Sequence, residues 1–430
     1  PDLSFETSML YDQHARLIRG GFGTFPVAIA GAQNATITDV DGRTYIDFVA
    51  MYAAANMGHA HPRLVKAITN QVAKAPLVGT TWLNPVYLQL AQKLTTKFGY
   101  ETVTTLLSGG EAAEAAVKMA RRWGYQKKGI PPGEAWVVTA TGCYHGVTLA
   151  TMALNNIIAR DYGTHVPNVG PYIPSTGKLI RYGSLEDIEE AVECDGHKIA
   201  AFMVEPVQGS AGACSPPDGY LRGVADLCKK HNILFICDEI QSGFGRTGYD
   251  LAHYHEPGVT PDLVILAKAL TGGHYPMSII LGNHEVTDLV HCFEIGATQA
   301  AAPPGCAAAL VALDILEEEN LALRSRELGN LLYSELERLN PPHIKTLNGK
   351  NRGLFIAAIV DETHPGVTAR KIGALCARRG LLVGAAAGKV RFSPPLTISK
   401  TDILKGAKII DQAFRDVANV GDFVGSEVLI

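Results

Sequence analysis

The chain has 430 residues, of which 47% are hydrophobic and 19% are charged, and its formal net charge at pH 7 is −4. This balance gives no reason to expect a nucleic acid or an anionic membrane as a partner. No apolar run approaches the ~18 uninterrupted residues of a membrane helix. Because single hydrophobic cores stop growing near ~250–300 residues, the length predicts two domains.

The eight cysteines contain no Cys-x-x-Cys pair, and Cys237 lies inside an apolar run. This pattern favours free thiols in a reducing compartment over a disulfide framework, so we expect a cytoplasmic protein. The chain begins Pro-Asp-Leu, without a Met or an apolar signal segment. We interpret this start as trimmed, which leaves targeting to an organelle open.

The first part of the chain predicts a hairpin followed by alternating helices and strands. Residues 27–48 alternate between apolar and polar types, and Asp41-Gly42 is typical of a hairpin turn. The alternation of helical and strand patterns from about residue 60 is typical of a mostly parallel sheet with helices on both faces. The elements predicted there are helices at 62–74, 111–123 and 219–230, and strands at 135–140, 198–204, 232–237, 262–267 and 277–281.

After a Pro- and Ala-rich loop at 300–304, the pattern predicts a smaller α+β unit, which we expect to pack with the N-terminal hairpin. Its predicted elements are helices at 305–318, 321–339, 367–379 and 401–417, and a strand at 354–360. The expected fold class is therefore α/β. We predict a large domain with a mostly parallel, seven-stranded sheet at 50–305, and a small domain formed by 1–49 and 306–430.

Two polar residues end two of the apolar runs. Asp238 closes the run that begins at Asn232, and Lys268 closes the run that begins at Asp262. In open α/β sheets ligands bind beyond the carboxyl ends of strands, where both residues are expected to lie. An amine that forms a Schiff base and an acid that keeps a pyridine nitrogen protonated suit pyridoxal phosphate. The alternative is that both residues simply mark the return of the chain to water.

Ser108, Gly109 and Gly110 stand directly before the Ala-rich helix that begins near Glu111. Glycines let backbone N–H groups point outward, and a helix N-terminus adds positive potential, so this segment is a candidate phosphate cradle. The alternative is an ordinary helix N-cap, because Ser is common at that position. Together with Asp238 and Lys268, the segment favours the phosphate interpretation.

Other patterns are less specific. Gly243–Gly248 matches a G-x-G-x-x-G string, but it does not follow a strand directly and no helix obviously follows, so nucleotide binding is disfavoured. The pairs His59-x-His61 and His253-x-His255 lack a third ligand, and we expect no metal site. Arg391 enters a Pro394-Pro395 turn, where it is either a surface charge or a fixed fork for a carboxylate.

Seven segments carry a resemblance to a known family. They are Asp41-Gly-Arg-Thr-Tyr-Ile-Asp-Phe, Asn56-Met-Gly-His-Ala-His-Pro, Lys127-Lys-Gly-Ile, Val204-Glu-Pro-Val-Gln-Gly, Asp238-Glu-Ile-Gln-Ser-Gly-Phe-Gly-Arg-Thr-Gly, Lys268-Ala-Leu-Thr-Gly-Gly and Glu317-Glu-Glu-Asn-Leu. From about Pro26 to about Phe414 the chain resembles the class III aminotransferases of the pyridoxal-phosphate fold-type I superfamily, and within them the ornithine aminotransferase branch. The resemblance assigns Gly243–Gly248 to a loop of that family.

The resemblance implies pyridoxal phosphate as the cofactor and a homodimer with active sites at the subunit interface. Lys268 would form the Schiff base, Asp238 would pair with the pyridine nitrogen, and Arg391 would bind the substrate carboxylate. The remaining implied contacts are Ser108, Gly109 and Gly110 at the phosphate, Thr298 at the phosphate from the partner subunit, Tyr144 and Ile240 on the two ring faces, Gln241 at the phenolic oxygen, and Tyr52 and Phe22 in the substrate channel.

The departures from the ornithine branch concern substrate recognition. Val147 replaces an Arg that helps hold the α-carboxylate of ornithine, and Ser210 replaces an acid that pairs with the carboxylate-binding arginine. Position 22 is Phe where that branch has Tyr. Arg391 should then be free to hold an α-carboxylate in every turnover. The pocket is expected to be apolar at Phe22, Val147 and Trp82, which favours an uncharged or hydrophobic substrate side chain.

We therefore predict an aminotransferase that moves an amino group between an amino acid or amine and a keto acid, and that is not specific for ornithine. The alternative is an amino-acid racemase or epimerase on the same scaffold, in which Lys268 serves one face of the α-carbon and a group such as Tyr52 serves the other. A decarboxylase is a third candidate. A non-catalytic binding protein would be expected to have lost Lys268 or Asp238, and a nicotinamide dehydrogenase depends on the Gly243–Gly248 string alone.

Overall fold

The computed structural model describes residues 4–21, 24–155 and 166–426. The chain divides into two compact units. The larger unit contains Pro62–Phe244 and Tyr249–Glu317, and the smaller one contains Pro1–His61, Gly245–Gly248 and Glu318–Ile430.

The bounds of the units lie about a dozen residues beyond those predicted from the sequence, which were 49/50 and 305/306. At the first boundary, the backbone of His59 exchanges two hydrogen bonds with that of Asn34, so this segment belongs with the smaller unit. At the second, Lys93 forms an ion pair with Asp314, which holds the helix Pro303–Glu318 in the larger unit.

The larger unit is built around a seven-stranded, mostly parallel sheet, as the sequence predicts. Its central strands are continuous in Val, Ile, Leu and Phe because both faces are buried. The strand Ser278–Gly282 is antiparallel to both of its neighbours, and the five strands from Leu263–Leu266 to Val169–Gly170 are parallel. In spatial order the strands are Thr102–Leu106, Ser278–Gly282, Leu263–Leu266, Leu234–Asp238, Ile199–Val204, Trp136–Val138 and Val169–Gly170.

Helices cover this sheet. The Ala-rich helix Gly109–Trp123 packs closely on it because its inward face carries small side chains, such as Ala112 and Ala116. The other helices of the unit are Pro62–Lys74, Pro85–Phe98, Leu149–Asn155, Leu185–Asp195, Tyr220–Lys230, His284–Thr287 and Pro303–Glu318, with a π-helical turn at Gly124–Lys128 and 3₁₀ turns at Ala252–His255 and Lys268–Thr271.

The smaller unit contains a second seven-stranded sheet. The predicted hairpin is present as the antiparallel strands Thr36–Asp39 and Thr44–Phe48, and Leu381–Ala386 pairs with the latter in parallel. In spatial order the strands are Ile29–Gln33, Thr36–Asp39, Thr44–Phe48, Leu381–Ala386, Lys389–Phe392, Ile356–Val360 and Ile344–Asn348. The helices are Phe5–Leu17, Leu321–Leu339, Ala369–Arg378 and Lys400–Asp416, and a short left-handed turn lies at Ala50–Ala53.

Within the described ranges, no helix combines the length and the apolar character needed to cross a bilayer.

Lys128 is a structural cation of the larger unit. Its ammonium group donates to the carbonyl oxygens of Gly196 at 2.6 Å, Ile199 at 2.7 Å and His231 at 3.1 Å. All three donor positions of the ammonium are therefore used. The side chain joins the end of one helix, the start of the strand Ile199–Val204 and the residue that follows a second helix.

Replacing this cation by an apolar side chain of similar length should destabilise the protein. We expect Lys128→Met to lower the free energy of unfolding by about 1–3 kcal/mol, because three partly buried carbonyl groups lose a charged donor. Chemical denaturation measures the change. Lys127→Met is the matched control, since Lys127 lies exposed on the same turn, and an equal loss in both variants would contradict the role of Lys128.

Candidate active site

Asp238 is the last residue of a central parallel strand and is only 3% exposed. Its Oδ2 lies 2.7 Å from Nδ1 of His145, and its Oδ1 accepts a hydrogen bond from the backbone N–H of Ile240 at 3.0 Å. A carboxylate offers about four lone-pair positions. The two described contacts therefore leave acceptor capacity for a further cationic donor at the carboxyl edge of the sheet.

The electrostatics of His145 favour an ion pair with Asp238. Burial lowers the pKa of His145, but the neighbouring Cys143 and the Asp238 carboxylate raise it by more, so the pKa lies well above the ordinary value. His145 is fixed further by its backbone N–H, which donates to the side chain of Asn155 at 2.8 Å. The Nε2 atom of His145 is buried and has no hydrogen-bond partner among the described residues.

Lys268 lies on the strand next to that of Asp238. Asp238 pairs in register with Ile265, and Lys268 follows two residues after the end of that strand. It begins a 3₁₀ turn between the buried residues Ala267 and Ala269, and its φ of 46° is in the left-handed region. A non-glycine residue in this conformation stores strain and is typical of functional sites. The structure thus brings the predicted amine and acid to one edge of the sheet.

Ser108 caps the helix Gly109–Trp123. Its Oγ accepts from the N–H of Glu111 at 3.2 Å, and the Glu111 carboxylate accepts from the N–H of Ser108 at 2.8 Å. The N-cap interpretation is therefore confirmed. The first-turn N–H groups of Gly109 and Gly110 have no acceptor within the helix, as at any helix start, so the segment retains the donors that an anion requires.

Two close approaches show why this segment contains glycine. A Cβ on Gly109 would lie 3.0 Å from the Cδ1 of Ile240. A Cβ on Gly146 would lie 2.8 Å from the Cα of Gly110, and Gly146 has a φ of 128°. The helix start therefore contacts both the residue after the Asp238 strand and the loop that carries Tyr144.

Tyr144 is held in that loop through its backbone. Its N–H donates to Oε1 of Glu205 at 2.8 Å, and the other Glu205 oxygen accepts from the N–H of Gly209 at 3.3 Å. Burial raises the pKa of Glu205 to about 7. Neither Glu205 nor His145 is among the predicted site residues, because no local sequence pattern marks the contacts that they make.

The remaining predicted residues of the larger unit occupy different environments. Gln241 is partly buried, whereas Thr298 is exposed. Val147 and Trp82 are 62% and 72% exposed. Together with Ser108, which is also exposed, the single chain thus leaves four of the described site residues on its surface. Phe22 falls outside the described residues.

Arg391 and Tyr52 meet within the smaller unit. The Cζ atom of Arg391 lies 5.1 Å from the centre of the Tyr52 ring, a cation–π distance. Burial lowers the pKa of Arg391, while Tyr52 raises it. No Asp or Glu in the described parts of the chain pairs with this guanidinium. Arg391 is partly buried, and its role at a substrate carboxylate stays a prediction.

The histidine pairs have structural partners. Nε2 of His59 lies 2.7 Å from Oδ2 of Asp47, and Nδ1 of His253 lies 2.9 Å from Oε1 of Glu239. In the Gly243–Gly248 string, the buried Arg246 donates to backbone carbonyls of the smaller unit. Among the described residues no group of His, Cys, Asp and Glu is arranged to hold a metal ion.

The aminotransferase class-III family model matches residues 20–414. The chain belongs to the class III aminotransferase family. It is 40% identical over 399 residues to an ornithine aminotransferase from Emericella nidulans, which covers 92% of this chain and 87% of that protein.

Solved structures agree with this membership. The ornithine aminotransferase from Toxoplasma gondii matches with a TM-score of 0.90 at 31% identity, covering 97% of this chain and 96% of that one. The acetylornithine aminotransferase from Elizabethkingia anophelis matches with a TM-score of 0.84 at 33% identity, covering 95% and 99%. The predicted fold-type I architecture, pyridoxal phosphate as cofactor and transamination as reaction are thereby confirmed.

The close approach of Gly146 and Gly110 gives a prediction for this aminotransferase. Gly146→Ala should weaken pyridoxal phosphate binding by about 10-fold or more, because overpacking costs about 1–3 kcal/mol and the new Cβ meets backbone. Titration of the apoenzyme with the cofactor, followed by absorbance, measures the Kd.

Gly129→Ala is the control for this variant. Gly129 also has a left-handed φ, at 78°, but a Cβ there meets nothing within 4 Å. An unchanged Kd in Gly146→Ala would contradict the contact, as would an equal change in both variants.

Proposed function

We propose that this aminotransferase takes the amino group of an α-amino acid with an uncharged or hydrophobic side chain, or of an amine, and delivers it to a keto acid. The observation that carries the proposal is Arg391, a partly buried guanidinium that pairs with no carboxylate among the described residues. A desolvated guanidinium without a counter-charge is suited to hold a carboxylate in bidentate geometry.

The residues at positions 147 and 210 support a preference for substrates other than ornithine. Ornithine transamination at the δ-amine needs a cation for the distal α-carboxylate, and position 147 supplies an exposed Val in its place. The same reaction needs an acidic residue that pairs with the carboxylate-binding arginine while the δ-amine reacts. Position 210 is Ser, which cannot form that ion pair. Because hydrogen bonds to charged groups contribute roughly 1.5–3 kcal/mol each, loss of the first contact alone should impair ornithine turnover strongly.

The cofactor contacts belong to the same proposal. Pyridoxal phosphate, when bound, supplies an electron sink for the bonds at the substrate α-carbon. Asp238, whose other oxygen-bound partner is the His145 ring, would hold the proton on the pyridine nitrogen. The other proposed contacts are the N–H groups of Gly109 and Gly110 and the Ser108 side chain at the phosphate, Tyr144 and Ile240 at the ring faces, and Gln241 at the phenolic oxygen.

The geometry supports this fit, because these groups converge at one edge of the sheet. Ile240 contacts both Asp238 and Gly109, and Gly146 brings the Tyr144 loop against the helix start. Lys268 emerges from the neighbouring strand and would serve as the base that moves the proton at the α-carbon. Arg391 would fix the carboxylate, with Tyr52 beside it.

We further propose a homodimer with shared active sites. The exposed Thr298, Trp82 and Val147 support this assembly, because a partner subunit would cover them, and Thr298 of one subunit would reach the phosphate of the other. We also propose a cytoplasmic location, which the eight free cysteine thiols support.

Replacement of Lys268 tests its role as the catalytic amine. Lys268→Ala should abolish turnover and remove the absorbance band of the lysine-bound cofactor, since the variant lacks the amine that forms the Schiff base and moves the proton. Lys268→Arg keeps the positive charge but cannot form the bond, so it should be equally inactive. Full activity in either variant would refute the assignment.

Replacement of Arg391 tests the carboxylate fork. Arg391→Ala should raise KM about 10- to 150-fold for α-amino acids, the equivalent of about 1.5–3 kcal/mol, and should change KM little for amines without a carboxylate. Arg391→Lys keeps the charge without the planar fork and should recover only part of the affinity. Equal effects on both substrate types would remove the proposed role.

A further inference from the structure

The turn Ala50–Ala53 has a backbone conformation that its residues do not favour. The four consecutive residues Ala50, Met51, Tyr52 and Ala53 have φ values of 44°, 47°, 60° and 67°. Left-handed helical backbone is unfavourable for a non-glycine residue, because the Cβ approaches the following carbonyl oxygen. Four such residues in a row persist only if their surroundings enforce the conformation, and such strain clusters at functional sites.

The side chain of Asp47 enforces the entry into this turn. Asp47 lies in the strand Thr44–Phe48 and is fully buried, at 0% exposure. Its Oδ1 accepts hydrogen bonds from the N–H of Val49 at 2.7 Å and from the N–H of Ala50 at 3.0 Å. One carboxylate oxygen thus satisfies the two N–H groups that open the turn.

His59 fixes the other oxygen of Asp47. Its Nε2 lies 2.7 Å from Asp47 Oδ2, and its backbone exchanges two hydrogen bonds with that of Asn34, at 2.8 and 3.0 Å. The turn closes where the carbonyl oxygen of Ala50 accepts from the N–H groups of Ala54 and Ala55, at 2.8 and 2.9 Å. The aspartate is therefore held from outside the turn that it caps.

The turn determines where the Tyr52 ring lies. Tyr52 is its third residue, and the ring centre lies 5.1 Å from Arg391 Cζ. Gly384, on the strand next to that of Arg391, lies beside both side chains: a Cβ built there would be 3.6 Å from Arg391 Nε and 3.8 Å from Tyr52 Cε1, which is ordinary contact distance. A right-handed backbone at Tyr52 would direct its Cβ elsewhere and remove the ring from the guanidinium.

We propose that Asp47 is a positioning residue for the carboxylate site: by capping the left-handed turn Ala50–Ala53, it holds the Tyr52 ring against Arg391 and so fixes the guanidinium for a substrate carboxylate. This inference rests on the proposed carboxylate-binding role of Arg391. Asp47 itself touches neither substrate nor cofactor, and its effect on the reaction passes through the turn.

Two substitutions of Asp47 distinguish the effect of its hydrogen bonds to the turn from the effect of its negative charge. Asp47→Ala removes both acceptors. Asp47→Asn keeps an oxygen for the N–H groups of Val49 and Ala50, and its amide donates to a neutral His59, so it should rescue the turn. Asp361→Ala is the matched control, because Asp361 follows a strand of the same unit and likewise accepts a backbone N–H, from Thr363.

The kinetic readout is the ratio of KM values for an α-amino acid and for an amine that lacks a carboxylate. We expect Asp47→Ala to raise KM for the amino acid about 10-fold and to leave KM for the amine within about threefold, with Asp47→Asn and Asp361→Ala close to the parent enzyme. Hydrogen exchange at the Ala54 and Ala55 amides should accelerate in Asp47→Ala alone. An unchanged ratio, or equal losses for both substrates, would overturn the proposal.

Two further variants, His59→Ala and Arg391→Ala, distinguish failure of the positioning role of Asp47 from misfolding and from failure of the carboxylate role of Arg391. If Asp47→Ala yields no folded holoenzyme, His59→Ala takes its place, because it removes only the contact to Oδ2 of Asp47. A smaller rise in the ratio of the two KM values would then support the proposal. An unchanged ratio would overturn it. Arg391→Ala is measured in parallel. If Arg391→Ala does not change the ratio, the carboxylate role of Arg391 itself fails; if it does and Asp47→Ala does not, only the positioning role fails.

Discussion

The buried ion pair between Asp238 and His145 is the interaction on which the proposed cofactor site depends. A carboxylate at the end of a central strand is costly to desolvate unless a charged partner compensates it. His145 provides that partner from the loop that also carries Tyr144, so pairing the charge fixes the loop. The loop in turn lies at Gly146 against Gly110, at the start of the Ala-rich helix. One electrostatic requirement thereby brings together the end of the strand, the loop of Tyr144 and the N–H groups that we propose bind the phosphate.

The smaller unit uses the same chemistry at its own carboxylate. Asp47, like Asp238, is buried near the end of a strand, accepts nearby backbone N–H groups and pairs with a histidine at 2.7 Å. There the result is a strained left-handed turn beside Arg391. Since Arg391 pairs with no acid among the described residues, its charge remains available to a substrate. This free charge connects the fold of the smaller unit to the proposed preference for α-amino acids over ornithine.

The sequence predicted the elements whose pattern is local. The apolar runs at 232–237 and 262–267 became the strands Leu234–Asp238 and Leu263–Leu266, because burial on both faces selects continuous apolar residues. The Thr-rich strand Thr102–Leu106 was not predicted, since its composition lacks that signal. The pairing of Asp238 with His145 joins residues 93 positions apart, which no local pattern indicates. The turn Ala50–Ala53 contains no Gly or Asn, the residues that would indicate a left-handed backbone.

The central proposal is that Arg391 of this aminotransferase favours α-amino acids with uncharged or hydrophobic side chains over ornithine. Single-turnover spectroscopy tests it most directly: the holoenzyme is mixed with a panel of L- and D-amino acids and ornithine, without a keto acid, while cofactor absorbance and keto-acid release are followed. We predict conversion of the cofactor to its amino form with uncharged or hydrophobic α-amino acids, and at least about 10-fold slower conversion with ornithine. Fastest conversion with ornithine would contradict the specificity. An unchanged cofactor spectrum, with solvent deuterium appearing at the α-carbon, would contradict the proposed reaction and indicate an epimerase.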